Sequence, residues 1–340
     1  MPFSVSNQAL NLKSLLQIRF CKKFLVSLFF CLFFIATNAS AKIVIFACEP
    51  EWGEVARLIV KDKAEVRVGT TSDQNPRDVG IKSALIAASR SASIVFCSGG
   101  DLESSWLPAT INKGNNLKAI TDDNGLLLAI DYIKSPKFFD KNALVLVGRK
   151  EYLLNGSRVH LNPHNITKIA EEFTRRMKLI DSINSNFYQK SYDSFLLKWQ
   201  EAIEKWEERA SILKGMPLLA NDNSWNYLAD WLGLKITTIY DTNTREKPNL
   251  VYLHDLAKKL KANPVEAIIF ARFEDKRFVL WLREETKTRL IGLPYTIGSS
   301  SNNSDFFKLF NSIINGLLTD CSSGVCKTLD ETKKTKVKFL

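Results

Sequence analysis

Histidine is scarce in this chain, with three in 340 residues, which leaves little material for an imidazole-rich metal site or for general acid–base chemistry. The sequence has no His-Glu-x-x-His pair, no Gly-x-Ser-x-Gly nucleophile elbow and no phosphate-cradling Gly-x-x-x-x-Gly-Lys-Ser/Thr loop, so the common routes to a hydrolase or a nucleotide-driven enzyme are closed. Nor is any apolar run long enough to cross a bilayer, which takes roughly 20 residues. Basic residues are not interleaved with aromatics along a stripe, and nucleic acid is therefore not an expected partner.

The longest apolar run, Phe24 to Thr37, holds 14 residues. Ahead of it Lys13, Arg19, Lys22 and Lys23 form a basic, acid-free segment, and behind it Ala39-Ser40-Ala41 supplies small residues for cleavage. This is the layout of an export signal spanning 1–41, cleaved near Ala41, with a mature chain outside the cytoplasm. Phe30 in front of Cys31 is too bulky for a lipoprotein signal.

The net charge of the full chain is +11, and the leader holds four basic residues and no acid, so the remainder carries +7. Part of that excess sits in a lysine-rich tail, 321–340, which reads as a solvated, disordered end. The hydrophobic fraction of 45% and the seven tryptophans exclude a disordered chain. Four cysteines follow the leader. Cys321 and Cys326 enclose a short loop that can close as a terminal disulfide. Cys48 and Cys97 each end a strand-like run, where a bridge and a pair of buried thiols are equally compatible with the pattern.

Strand and helix alternate twice. Lys42 to Ala47, Ala64 to Thr70, Ser93 to Cys97 and Ala143 to Gly148 are short, β-branched apolar runs of the kind buried on both faces of a parallel sheet. Helical spacing separates the first three, and in the first of these helices Trp52, Val55, Ala56 and Ile59 share one face. Leu218 to Ala220, Ile236 to Tyr240, Ala267 to Ala271 and Arg289 to Leu293 repeat the pattern, with helices at Trp225 to Gly233, Leu250 to Lys261 and Arg277 to Thr286. Between the two series, Asn184 to Leu213 has no Gly or Pro and keeps three- and four-residue apolar spacing. It reads as a stiff helix joining two lobes, or else as an ordinary packed helix of one of them. The expected fold is α/β: lobes at 42–183 and 214–320, each a parallel sheet flanked by helices, joined by one long helix at 184–213.

Ligands of open parallel sheets bind beyond the carboxyl ends of the strands. The loops to watch are Ser72 to Asp78, Ser157 to His164, Asn221 to Trp225 and Pro294 to Thr296. His160 and His164 have i, i+4 spacing, but Asn162 and Pro163 start a helix between them, which makes His164 a first-turn surface residue and leaves His160 on the segment entering the crevice. Glu49 and Glu51 are alternate residues at a strand-to-helix turn, with nothing beside them that resembles a catalytic set. No enzymatic activity is expected.

Cys48-Glu-Pro-Glu-Trp52 after the first strand, Val159-His-Leu-Asn-Pro-His-Asn165, Ser224-Trp-Asn-Tyr-Leu-Ala-Asp-Trp-Leu-Gly233 and Leu293-Pro-Tyr-Thr-Ile-Gly298 together resemble the zinc/manganese-type periplasmic solute-binding proteins of ABC importers, from about Lys42 to Leu318. The resemblance implies a monomeric receptor in the periplasm that takes a divalent metal ion, zinc or manganese, between its lobes and hands it to an ABC permease in the inner membrane. It also implies four metal ligands, and there this chain departs. Where the family has histidine after the second strand stand Arg77 and Asp78; where it has another, two residues before His160, stands Arg158. A third position aligns with Asp222, and the fourth, an acid near the last strand, has no counterpart beside Pro294 and Tyr295. Guanidinium has no lone pair for a metal.

Three readings follow. Asp222, Asp78 and His160 can make an oxygen-rich metal site in which the arginines pair with spare carboxylates. Arg77 and Arg158 can instead clamp a carboxylate, a phosphate or an anionic metal chelate. Or binding has been lost and the protein is a scaffold. For the arginines themselves, plain salt bridging is the bland alternative.

Overall fold

The computed structural model describes residues 42–121, 123–133, 144–147, 150–153, 158–239, 248–271, 274–298 and 303–319. The expected leader at 1–41 and the tail at 321–340, with Cys321 and Cys326, lie outside them. In the first lobe β1 (Ile43–Ala47), α1 (Pro50–Val60), β2 (Ala64–Val68), α2 (Ser83–Ser91), β3 (Ile94–Cys97), α3 (Leu107–Gly114), α4 (Leu117–Thr121) and β4 (Leu126–Leu128) follow in order. The four strands form one parallel sheet in the order β2-β1-β3-β4. All of β3 is buried, which is why its sequence is a continuous apolar run.

One expectation fails here. The fourth strand of this sheet is the three-residue Leu126–Leu128, not the segment at Ala143 to Gly148. That segment holds β5 (Leu144–Val147), which pairs antiparallel with β6 (Lys150–Leu153) in a separate two-stranded sheet. A β-branched apolar run identifies a strand but not its partner.

Next come two long helices, α5 (Pro163–Ile180) and α6 (Ser185–Ala210). The second lobe then repeats the first: β7 (Pro217–Ala220), α7 (Asn226–Leu232), β8 (Lys235–Thr238), α8 (Leu250–Ala262), β9 (Ala267–Ala271), α9 (Arg277–Thr286), β10 (Leu290–Leu293) and α10 (Phe306–Leu318). Its parallel sheet runs β8-β7-β9-β10, the same order as in the first lobe. Chain direction across each sheet therefore reverses beside its first strand, at β1/β3 and at β7/β9, and a crevice opens at such switch points.

Helix α6 has 26 residues, about 39 Å of rod. Tyr188, Tyr192, Phe195, Trp199, Ile203 and Trp206 form a buried stripe along it at the spacing that keeps one face of a helix inward. It packs on α1 and α5 and, at its far end, on α10 of the second lobe. Trp199 is the hub, in ring contact with Phe195, Trp206, Phe306, Phe307 and Phe310. A single apolar cluster consequently runs from the first sheet through α6 to the second, while Leu219, Leu253, Ile268, Val279 and Leu282 fill the opposite face of the second sheet. No helix among the described residues is long and apolar enough to cross a membrane.

Candidate functional site

The two switch points face one another, and their loops carry a buried, heavily charged cluster. From β1 come Glu49 and Glu51, and from β3 come Asp101 and Glu103. The loop after β2 delivers Arg77, the segment before α5 delivers Arg158 and His160, β7 delivers Asp222, and β10 delivers Tyr295 and Thr296. Glu49, Glu51, Glu103, Arg158, His160, Asp222, Tyr295 and Thr296 are all buried.

Local chemistry holds each in place. Asn75 caps the short turn Pro76–Asp78 by accepting from Arg77 N at 3.2 Å. Trp106 Nε1 donates to Pro76 O at 2.9 Å and Ser105 Oγ to Arg77 O at 2.8 Å, so the turn is fastened to the residues just before α3. Arg77 Nε then donates to Asp101 Oδ2 at 2.5 Å. Burial works against the Arg77 cation, but Asp101, Tyr295 and Asp222 outweigh it and hold its pKa above the usual arginine value. Asp222 caps its own turn, accepting from Ser224 N at 2.8 Å. The guanidinium of Arg158 lies against Tyr295, with Cζ 4.0 Å from the ring centre, a cation–π contact.

His160 is a pin between the lobes. Its Nε2 donates to the carbonyl of Tyr295 at 2.9 Å, and Nδ1 faces Glu51 Oε1 at 3.1 Å. Glu51 in turn accepts from Thr296 Oγ1 across the cleft. A carbonyl can only accept, so Nε2 carries the proton, and burial, which lowers the His160 pKa, leaves Nδ1 as the nitrogen with a lone pair. His160 could therefore reach a metal only through Nδ1, beside Glu51 Oε1. Asp78 is exposed and accepts from Asn75 Nδ2 at 2.7 Å; it stands outside the buried cluster, unlike Arg77, Arg158 and Asp222, which meet there. His164 is the surface residue its position suggested, paired with Glu207 at 2.7 Å.

Sequence reading misses Glu274. It follows β9, accepts from Ala271 N at 2.8 Å, and sits close enough to Asp222, Arg158 and Arg77 to feel all three. Burial first, and the Asp222 charge second, raise its pKa to about 8 against the pull of the arginines. The rule that ligands bind beyond strand ends points to it, yet the loops after β3 and β9 are not among the four singled out from the sequence. Glu49 and Glu103 form a second acid pair joined by a hydrogen bond: burial and then the Glu103 charge push Glu49 well up, and burial takes Glu103 to about 7 against the pull of that bond.

A carboxyl whose folded pKa exceeds its unfolded value binds more protons in the folded state, so stability falls as pH rises between the two values. Metal-free protein is therefore expected to lose stability from the ordinary glutamate value of 4.5 to about 8. Glu274→Gln should flatten that slope by up to about 1.4 kcal/mol per pH unit, read from urea denaturation at stepped pH. An unchanged slope would place Glu274 in contact with water rather than in the cluster.

The comparisons with known proteins agree with this architecture. The family model "Zinc-uptake complex component A periplasmic" matches residues 45–319. A metal ABC transporter substrate-binding lipoprotein of Lactococcus lactis is 17% identical over 261 residues, covering 75% of this chain and 80% of its own. Among solved structures, a Mn-bound periplasmic metal binding protein from Candidatus Liberibacter asiaticus superposes with a TM-score of 0.67 at 14% identity, covering 82% of this chain and 98% of that one. The periplasmic zinc binding protein TroA from Treponema pallidum does so with a TM-score of 0.67 at 10% identity and the same coverages. The chain thus belongs to the family of the periplasmic component A of zinc-uptake complexes, the solute-binding proteins of metal ABC importers.

Proposed function

We propose that this protein is an exported, monomeric receptor, its leader removed near Ala41, that takes a divalent metal ion into the cleft between lobes 42–183 and 214–320 and delivers it to an ABC permease. Residues 184–213 are the rod that keeps the lobes in register. The observation that carries the reading is the pair Asp222 and Glu274 at the second switch point: two carboxylates, from the ends of neighbouring strands, that repel one another until a proton or a cation lies between them. A divalent ion would displace the Glu274 proton, so binding should tighten as pH rises toward about 8.

Arg77 and Arg158 modify this. Two guanidiniums beside the donors weaken binding of a bare cation and favour an ion that arrives with an anionic carboxylate or phosphate companion, which the fork of Arg77 and the stacked plane of Arg158 would hold. The specific observation favouring that second reading is Arg158 itself, buried over the Tyr295 ring rather than turned to solvent.

The sign of one substitution separates the two. Zn2+ or Mn2+ at a hundred times its Kd should stabilise the protein by about 2.7 kcal/mol, and Asp222→Ala with Glu274→Gln should abolish the shift in a thermal melt. Arg77→Gln should strengthen binding of the bare ion by about tenfold if the arginine only repels it, and should weaken binding of the metal citrate complex if the arginine holds the chelator. Absence of any shift with metal, citrate, phosphate or their complexes would remove the receptor reading in favour of a scaffold.

A further inference from the structure

Beneath the cleft, at the first-lobe switch point, lies a donor set that the proposed cargo site does not use. Cys48 Sγ, Cys97 Sγ and a Glu103 carboxylate oxygen all lie within 4.8 Å of one another, in full burial. The two cysteines are bonded as a disulfide, with Cα atoms 4.8 Å apart, which settles the alternative that the sequence left open between a bridge and free thiols. Their juxtaposition is a consequence of the sheet. Ala47 and Phe96 are register partners on β1 and β3, Cys48 N donates to Phe96 O at 2.8 Å, and the next residue of each strand is a cysteine.

Glu103 is held independently of the sulfurs. It accepts from Ser98 N at 2.8 Å and Gly99 N at 3.1 Å. The turn that makes this possible needs positive φ at Gly99 (+81°) and Gly100 (+73°), a conformation that side-chain-bearing residues avoid. The backbone therefore holds an oriented carboxylate beside the pair of sulfur atoms, where it also pairs with Glu49. Two thiolates and an oriented carboxylate are three of the four donors of a tetrahedral zinc site, and sulfurs about 2.3 Å from a common ion stand only roughly 3.8 Å apart.

We infer that Cys48, Cys97 and Glu103 form a redox-gated cation site, closed while the cysteines are bonded and opened by reduction, for a thiophilic divalent ion such as Zn2+. Reduction by a dithiol breaks the S–S bond, adds two electrons and two protons to give two thiols, and leaves the reductant as its own disulfide. Zn2+ then binds both sulfurs and the Glu103 oxygen and releases the two thiol protons. The loop Ser98 to Glu103 has to lift for the ion to enter, since all three donors are fully buried. This site is distinct from Asp222 and Glu274 and stands or falls without them.

The test uses the full chain with Cys21, Cys31, Cys321 and Cys326 changed to serine, so that only the pair under study can supply thiolate. One sample stays oxidised; the other is reduced with a phosphine and desalted without air. Co2+ alone is the probe, because thiolate-bound cobalt absorbs in the near ultraviolet and carboxylate-bound cobalt does not. The reduced chain should take up one Co2+ with that absorption, displaced by Zn2+, and the oxidised chain should show none. Cys48→Ser and Cys97→Ser should each abolish the band, Glu103→Gln should weaken binding by at least tenfold, and Asp222→Ala should leave it intact. A reduced chain with no thiolate band, or a band indifferent to either cysteine, overturns the inference. Since oxidised and reduced forms of the same chain are compared first, the result stands even where a cysteine variant does not fold.

Discussion

Trp199→Ala should remove about 3–5 kcal/mol of unfolding free energy, a large share of the 5–15 kcal/mol typical of a folded domain. The side chain is fully buried, and its contacts are not confined to one lobe. On one side the indole Nε1 donates to Pro163 O at 3.0 Å, at the first turn of α5. On the other the ring meets Phe306, Phe307 and Phe310 of α10 at 5.7, 5.2 and 5.6 Å between centroids. Truncation leaves a cavity between elements that cannot collapse separately, because each is anchored to its own sheet. Circular dichroism in urea reads the loss without relying on the missing fluorophore. Trp199→Phe should keep most of the packing and lose the Pro163 bond, costing about 1 kcal/mol beyond the change in ring size. If Trp199→Ala cost under about 1 kcal/mol, α6 would be an ordinary helix of one lobe, and the stiff connection on which the cleft depends would have no physical basis.

That connection is legible without coordinates, because a long run without Gly or Pro and with a continuous apolar stripe can hardly be anything but a helix. The strands at the centres of both sheets are legible for a similar reason: burial on both faces demands uninterrupted apolar residues, and Ile94 to Cys97 has nothing else. Leu126–Leu128 is not, since three residues carry no periodicity. The site is half legible. Arg77, Arg158 and Asp222 stand out because they occupy positions where the family resemblance implies ligands, but their partners lie far along the chain. Asp101 is 24 residues from Arg77, and no local pattern ties them. Glu274 escapes notice although it obeys the strand-end rule. Asp78 draws attention as an acid beside Arg77, yet the turn that aims Arg77 inward aims Asp78 at solvent. His160 is recognisable as a cleft residue, but only the structure reveals that its Nε2 is committed to the Tyr295 carbonyl.

His160→Ala should destabilise the protein by about 1–3 kcal/mol, the usual cost of leaving a buried acceptor without its donor. The carbonyl of Tyr295 loses its donor, and Glu51, buried with Thr296 as its remaining partner, loses the ring that faces it. With Glu51→Gln added, the double-mutant cycle should show a coupling of about 0.5–3 kcal/mol, because the two side chains face one another at 3.1 Å. The pH dependence identifies the residue. Burial lowers the His160 pKa, against the pull of Glu51, so the unfolded chain binds the proton more readily, and the stability this group contributes is present above pH ~6.5 and lost as pH falls through the lower folded value. Glu274 acts in the opposite sense, together with Glu49 and Glu103, whose raised values work the same way. His160→Ala should make the acid limb of the profile shallower, and Glu274→Gln the alkaline limb. Because His160 and Glu51 join Tyr295 and Thr296 across the cleft, loss of the pin should also widen the gap between the lobes, seen as a larger radius of gyration in solution scattering of metal-free protein. A variant equally stable and equally compact would mean that the lobes are held by α6 alone.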